Sequence, residues 1–188
     1  LRLSDTDTDA AQVRDNLPAS AKVSTAIQNG IVLGADNGLA GGIGTVDSAF
    51  AQLGRIVPIS GNFPAQPDEI AMTTTLLDAL GCSYDLGQTI TLKVADNDYD
   101  PLSGSGKIVE QTYTLCGVLP AYDVYWNLGS NLTVSAVVAE PLALAGQKFQ
   151  TFYDLNADTV GTASDDPDLI ANEYAYPQED TVSSSLTF

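Results

Sequence analysis

The sequence predicts an α+β fold in which short helices pack on a mixed, mostly antiparallel sheet. Short segments that alternate apolar and polar residues recur along the chain. In one of them Ile90, Leu92 and Val94 alternate with polar residues, which is typical of a strand with one buried face. Segments with helical spacing are few and short, and they stand between the strands. This interspersed order favours the α+β class.

The length and composition of the chain limit the number of domains and argue against two kinds of partner. The 188 residues are 44% hydrophobic, which is enough for a single domain, or for two small lobes of about 1–58 with the C-terminal tail and 59–140. The net charge of −17 argues against nucleic acid and anionic lipid, because both bind cationic surfaces. No segment has the ~20 apolar residues of a membrane span. A start at Leu1 rather than methionine indicates a piece of a longer protein.

The N-terminal part predicts a helix and then a hairpin. Three aspartates within residues 5–9 favour a helix start through the helix dipole, and Pro18 ends that helix. The Asn29-Gly30 pair lies between two apolar runs. Such a pair predicts a tight turn, which here pairs residues 22–28 with 31–33.

The central segment predicts a strand, a short helix and another strand. Thr75 and Asp78 have the spacing of a capping box, and Gly81 stands where a left-handed cap closes a helix. Leucines at helical spacing form one face of this helix, the leucine ridge, which consists of Leu76, Leu77 and Leu80. A helix this short has little stability alone, so the leucine ridge is predicted to pack on the sheet.

The sequence gives no positive support for an enzyme. It contains no histidine, which removes the commonest general base and every histidine-containing triad. The glycine-rich stretch 34–48 lacks the lysine of a phosphate-binding loop and is predicted to be a mobile loop. No serine–lysine motif takes the place of a triad. No catalytic residue and no cofactor is therefore predicted.

Three carboxylates at alternate positions form a weak candidate for a metal site. Asp96, Asp98 and Asp100 have the spacing with which calcium loops collect oxygen ligands. Pro101 and Lys107 stand where such a loop needs its glycine and its bidentate glutamate. A solvated hairpin tip is therefore the favoured alternative.

Two further groups of residues are candidates for contacts. Tyr122, Tyr125 and Trp126 suit a contact patch at the end of a strand, and a buried corner of the core is the favoured alternative. Cys82 and Cys116 are the two cysteines. They form either one disulfide, if the domain faces an oxidising space, or two buried free thiols.

The segment from Ser60 to about Glu140 resembles the extracytoplasmic core domain of MacB-like and FtsX-like ABC transporter permeases. The resemblance rests on a Gly-x-x-Pro segment, a Glu-Ile-Ala strand, a helix ending in Leu-Gly, a Gly-Gln pair before an Ile-Thr-Leu strand, and a strand ending in Gly-Val-Leu. The residues that carry these motifs are Gly61, Pro64, Glu69-Ile70-Ala71, Leu80-Gly81, Gly87-Gln88, Ile90-Thr91-Leu92 and Gly117-Val118-Leu119.

The resemblance implies a fold like the MacB periplasmic core and a non-catalytic role, in which the domain couples motion of transmembrane helices to export or to a surface partner. It implies a location in a bacterial cell membrane, with the domain on the extracytoplasmic side, where a Cys82–Cys116 disulfide would be compatible with the oxidising surroundings. The implied partners are its own transmembrane helices, a cognate ABC ATPase that carries any ATP hydrolysis, and an accessory protein or a peptide or lipid substrate. The alternative is a secreted or wall-attached binding module for cations or carbohydrate, which uses the 96–100 loop or the Tyr122–Trp126 group.

Overall fold

A computed structural model describes residues 2–6, 22–126, 132–144, 146 and 148–154. The described strands are β1 (Arg2–Thr6), β2 (Lys22–Leu33), β3 (Leu39–Val46), β4 (Ser60–Gly61), β5 (Glu69–Thr73), β6 (Thr89–Ala95), β7 (Ile108–Leu119), β8 (Val134–Val138) and β9 (Lys148–Asp154). The described helices are α1 (Phe50–Gly54), α2 (Thr74–Leu80) and α3 (Asp123–Trp126).

The described strands belong to one sheet, and six of them close into a ring. β2 pairs with β3, β3 with β8, β8 with β5, β5 with β7, β7 with β6, and β6 again with β2. The pairs β3–β8 and β5–β7 are parallel, and the other described pairs are antiparallel. The predicted α+β class, with a mixed, mostly antiparallel sheet, is confirmed. The ring is a small barrel, and its interior has to be filled by side chains.

The main hydrophobic cluster fills the inside of this barrel. Alternate residues of β6 contribute to it, and they are the ones that the sequence predicts to point inward. Leu76 and Leu77 of α2 belong to the same cluster and have no exposed surface, while Leu80 is partly buried against it. Helix α2 is thus a plug in the barrel, and the predicted packing of the leucine ridge on the sheet is confirmed.

β2 is one continuous strand of 12 residues with a bulge at Asn29. Gln28 lies opposite Gly44 of β3 and Gly30 lies opposite Ile43, so Asn29 is an extra residue between them. The predicted hairpin turn at Asn29-Gly30 is therefore wrong, and the chain turns at residues 34–38 instead. Glycine is needed beside this bulge because a Cβ at Gly30 would lie 2.7 Å from the carbonyl oxygen of Ala95 in the neighbouring strand.

The second edge of β2 changes its partner at this bulge. Residues 22–28 pair with β9, whereas residues 31–33 pair with β6 of the barrel. β9 pairs in turn with β1. β1, β9 and the first half of β2 therefore extend the sheet beyond the barrel as a three-stranded wing.

One of the three N-terminal aspartates lies in a strand. Asp5 lies in β1, opposite Gln150 of β9, so its predicted place at a helix start is wrong. The dipole preference of one acid is weak, and pairing with a strand far along the chain outweighs it. The rest of the predicted helix, up to Pro18, lies outside the described residues.

The glycine-rich stretch is mainly strand β3, so its prediction as a mobile loop is wrong for residues 39–46. Its glycines permit close approach inside the barrel wall. A Cβ at Gly44 would overlap the carbonyl oxygen of Ile27, and a Cβ at Gly41 would overlap the hydroxyl of Ser135. Packing, rather than nucleotide binding, accounts for these glycines.

The carboxylate of Asp47 joins helix α1 to β2. Asp47 Oδ1 accepts hydrogen bonds from the N–H groups of Ala49 and Phe50, at 3.0 and 3.1 Å, and from the hydroxyl of Ser24 at 2.7 Å. Asp47 Oδ2 accepts the N–H of Thr25 at 2.8 Å. Asp47 therefore caps the start of α1 and joins it to the neighbouring strand.

We expect Asp47→Ala to lower the free energy of unfolding by about 1–3 kcal/mol, because the substitution removes a helix cap and leaves several donors without an acceptor. Urea unfolding followed by circular dichroism measures the loss. Asp36→Ala is the matched control, since Asp36 is an exposed aspartate in the 34–38 turn. Equal unfolding midpoints for the two variants would show that Asp47 does not hold α1.

Candidate functional site

Helix α2 begins where three elements meet. Thr73 is the last residue of β5 and the N-cap of α2, and its Oγ1 accepts the N–H of Leu76 at 3.3 Å. The same hydroxyl donates to the Asp123 carboxylate of α3 at 2.9 Å. The predicted capping box of Thr75 and Asp78 is therefore wrong. β5 runs into α2 without a loop, so the cap falls on the last residue of the strand.

The C-terminal end of α2 is also fixed. Gly81 adopts a left-handed conformation with φ of 66° and closes the helix, as its position in the sequence predicts. The N–H of Cys82 donates to the carbonyl of Leu77 at 2.9 Å, in the manner of a Schellman cap. The Tyr84 hydroxyl donates to the Asp78 carboxylate at 2.8 Å. The plug is therefore held by both of its ends as well as by its buried leucines.

The aromatic group near α3 is partly core. Tyr122 is buried, its hydroxyl donates to the carbonyl of Val134 at 2.6 Å, and its ring packs edge-on against Phe50. Burial raises the pKa of Tyr122 far above its ordinary value. Tyr122 is thus in a buried corner, the alternative that the sequence favours. Tyr125 and Trp126 lie in α3, but their side chains are outside the described set, so a contact patch there stays a prediction.

The structure does not gather the three carboxylates of the 96–100 loop. Asp96 is only 8% exposed, and its Oδ2 accepts the N–H of Lys107 at 2.9 Å. Asp100 accepts the Ser103 hydroxyl at 2.7 Å, a bond that lowers the pKa of Asp100. Asp98 is exposed. Among the described residues, no three histidine, cysteine, aspartate or glutamate side chains come together to hold a metal ion.

Cys82 and Cys116 are free thiols in the structure. Cys82 packs against the main cluster inside the barrel, whereas Cys116 packs against a second cluster that contains Phe50 and Tyr122. The structure thus places the two cysteines against different clusters and does not join them. Burial, helped by the charge of Glu69, raises the pKa of Cys116 to about 11.

We expect Cys116 to be a slow nucleophile at neutral pH. Burial disfavours the charged thiolate, so the thiolate fraction is about a hundredfold lower than for an ordinary cysteine. The measurement is the rate of iodoacetamide alkylation in a Cys82→Ala variant, compared with free cysteine in the same buffer. The rate should rise as the pH approaches 11 and become ordinary in denaturant. A rate equal to that of free cysteine in the folded protein would contradict the partial burial of the Cys116 thiol.

The motif residues around β4 and β7 act through the backbone. Gly61 has a φ of 70°, and a Cβ there would overlap the backbone of β7. Gly117 faces the backbone that follows β4 at a similarly short distance. Glu69 accepts two backbone N–H groups of the loop after Pro64, at 2.8 and 3.0 Å. These residues fix the path of the backbone around β4 and β7.

A groove of about 360 Å³ lies between the end of β3, residues 63–65 and the end of β8. Its walls are mostly apolar, with Phe63 and Val137 among them. Its charged lining residue is Asp47, whose oxygens already accept the hydrogen bonds that cap α1. The carboxylate in the wall of the groove therefore already has a structural role at the start of α1.

A buried polar cluster beside the bulge is not foreseen from the sequence. The Gln28 amide donates to the Asn97 side chain at 2.7 Å, and the Asn97 amide donates to the carbonyls of Gln28 and Gly146, at 3.0 and 2.6 Å. Asn29 beside them has no exposed surface. The signal in the sequence is the amide pair Gln28-Asn29, which stands directly before the apolar end of β2. The cluster joins β2 to the loop after β6.

Comparison with known proteins gives a distant structural likeness. No protein-family model matches the chain, and no curated protein sequence matches it. The chain is similar to the crystal structure of "a domain of a putative Permease protein from Porphyromonas gingivalis", with 12% identity and a TM-score of 0.37, over 90% of this chain and 77% of that one. Within the described part of the protein, no helix has the length and apolar character to cross a membrane.

Proposed function

We propose that this chain is a non-catalytic extracytoplasmic domain of an ABC transporter permease of the MacB-like or FtsX-like kind. In this role it couples the motion of transmembrane helices to export or to a surface partner. The observation that supports the proposal most strongly is the pairing of β1 with β9 in the wing.

The wing places the entry and the exit of the described fold side by side. Arg2 of β1 lies opposite Tyr153 of β9. A fold whose first and last strands are neighbours can be inserted between two further segments of a polypeptide without disturbing either. In the proposal these segments are transmembrane helices, and both of them act on the same wing.

The wing is continuous with the barrel. The first half of β2 bonds to β9, and its second half is part of the barrel wall. A displacement of the wing therefore reaches the barrel along the covalent backbone of β2. The hydrogen bonds between Asn97 and Gln28 stabilise the point where the two halves of β2 meet.

The plugged barrel suits the transmission of motion as a rigid body. Leu76 and Leu77 fill its interior, and Thr73 joins the helix to both β5 and α3. A densely packed interior has low compressibility and transmits strain. The partners in this proposal are the domain's own transmembrane helices, a cognate ABC ATPase in which any ATP hydrolysis takes place, and an accessory protein or a peptide or lipid substrate.

The full-length gene and protein test the proposal in two steps. The coding sequence on both sides of this segment should contain stretches of ~20 apolar residues; their absence overturns the proposal. In membranes that contain the whole transporter, Leu80→Ala should loosen the plug, so that ATP hydrolysis continues while export or partner activation falls. Leu102→Ala is the matched control, because Leu102 is 97% exposed. An equal effect of the two variants would argue against transmission through the plug.

A further inference from the structure

The sequence contains two Asn-Gly pairs, at residues 29–30 and 37–38, and the fold places them in opposite environments. Asn29 has no exposed surface and lies inside the sheet. Asn37 and Gly38 are exposed in the turn between β2 and β3. The pair is chemically distinctive because glycine has no Cβ to hinder attack of its backbone nitrogen on the preceding side chain.

We propose that Asn37 is a site of spontaneous hydrolytic modification, with water as the co-reactant. The Gly38 nitrogen loses its proton and attacks Cγ of Asn37. A new bond between this nitrogen and Cγ closes a cyclic imide, the bond from Cγ to Nδ2 breaks, and ammonia leaves. Water then adds to either carbonyl of the imide and opens it, to aspartate or to isoaspartate. The net change is the replacement of the amide NH2 by a hydroxyl, with release of ammonia.

The turn leaves both reacting groups of Asn37 and Gly38 available. It is closed by the N–H of Gly34, which donates to the Gly38 carbonyl at 2.8 Å, and by the N–H of Asn37, which donates to the Gly34 carbonyl at 3.1 Å. Among the hydrogen bonds of the described residues, the Gly38 N–H and the Asn37 side chain take part in none. Asn37 has a φ of 55°, and an added Cβ at Gly38 would have no atom within 4 Å. The Gly38 nitrogen, which is the nucleophile, is therefore not occupied by a hydrogen bond within the described part of the protein.

The environment of Asn29 prevents the same reaction. β2 is bonded to β3 on one edge and to β9 and β6 on the other. A Cβ on Gly30 would lie 2.7 Å from the Ala95 carbonyl oxygen, so the backbone has no room to turn. Closure of the imide needs rotation of the backbone at Asn29, and the sheet opposes it. Asn29 therefore serves as an unreactive internal control for Asn37.

Conversion of Asn37 would alter the turn in the barrel wall. The Asn37 carbonyl accepts the hydroxyl of Tyr99 at 3.4 Å, and Tyr99 packs with Ile31 and Leu33 on the outside of β2. Isoaspartate adds an atom to the backbone at this point and displaces that carbonyl. Either product adds a carboxylate beside Asp36. The modification would thus weaken the contact between the turn and the loop after β6.

The test is to age the whole protein in warm, mildly alkaline buffer made with heavy-oxygen water, and to follow the peptides by mass spectrometry. We expect residue 37 to become aspartate and isoaspartate with heavy oxygen incorporated, while Asn29 remains an amide. Gly38→Ala should slow the conversion by roughly tenfold or more, because a Cβ then hinders the attack.

Denatured protein supplies the reference rate. In denaturant both Asn-Gly pairs should convert at similar rates, because the fold no longer distinguishes them. The proposal is overturned if Asn37 of the folded protein stays an amide after the denatured protein has converted. It is also overturned if Asn29 of the folded protein converts as fast as Asn37.

Discussion

Leu76→Ala in α2 is expected to lower the free energy of unfolding by about 2–5 kcal/mol. Leu76 has no exposed surface and lies in the main cluster, within contact distance of the Gly41 position in β3. The substitution removes buried apolar atoms and leaves a cavity inside the barrel. Because α2 is fixed at both ends, it has little freedom to move and refill that cavity. Urea unfolding followed by far-ultraviolet circular dichroism measures the change.

Two leucines serve as controls for Leu76→Ala. Leu102→Ala makes the same chemical change at a position that is 97% exposed, so its effect should stay within about 0.5 kcal/mol. Leu80→Ala should lie between the two, since Leu80 is only partly buried. If Leu76→Ala and Leu102→Ala unfold at the same urea concentration, α2 does not plug the barrel in solution.

Gly44→Ala is expected to be the second most damaging single change. A Cβ at this position would overlap the carbonyl of Ile27 in the neighbouring strand. The carbonyl belongs to the backbone, and the backbone also fixes the position of the Cβ, so a side-chain rotation cannot relieve the overlap. β2 and β3 would have to separate beside the bulge, at a cost of about 1–3 kcal/mol or more. Thermal or urea unfolding of the variant measures this cost.

Gly38→Ala is the control for Gly44→Ala. An added Cβ at Gly38 meets no atom within 4 Å, so the substitution should be neutral, or stabilising by about 0.4–1 kcal/mol through the unfolded state. A Gly44→Ala variant as stable as Gly38→Ala would mean that β2 and β3 do not approach each other as closely as the structure has them.

The parts of the fold that can be predicted from the sequence are those with a local signal. β6 follows from its strict alternation, and the leucine ridge of α2 follows from its helical spacing. Gly81 closes α2 because a left-handed residue is needed at that point, and glycine provides it. Each of these signals lies within a few consecutive residues, so a distant partner is not needed to interpret it.

The errors occur where a distant partner decides the local structure. Asn29-Gly30 forms a bulge because β9 and β6 bond to successive parts of one strand, which no local pattern shows. Asp5 lies in a strand because β9 is beside it. The glycines of β3 are needed because Ile27 and Ser135 approach them closely. In each case long-range pairing overrides a local preference.

The roles of the candidate site residues also depend on distant parts of the chain. Asp96 has the spacing of a metal ligand, but the hairpin buries it and gives it the N–H of Lys107 instead. Tyr122 is an aromatic residue of the kind found in contact patches, but in the fold it is buried and packs against Phe50. Burial depends on the whole fold, so spacing alone does not separate a ligand or a contact from a core residue.

The wing and the plug together form the basis of the proposed function. The pairing of β1 with β9 brings the first and last described strands to one place, and the continuous β2 leads from there into the barrel. Thr73 and the buried leucines then make α2 and the barrel one unit. A domain of this kind transmits motion only if α2 does not unfold locally while the barrel strands remain folded.

Native-state hydrogen exchange tests this central claim most directly. In the folded protein, the amides of α2 should exchange with the same free energy of opening as those of β5, β6 and β8, because the plug and the barrel wall open only together. The exposed turn at 34–38 should exchange much faster. If the α2 amides instead exchange as fast as that turn while the barrel strands remain protected, the plug is not part of a rigid body, and the account of this domain as a transmitter of motion is contradicted.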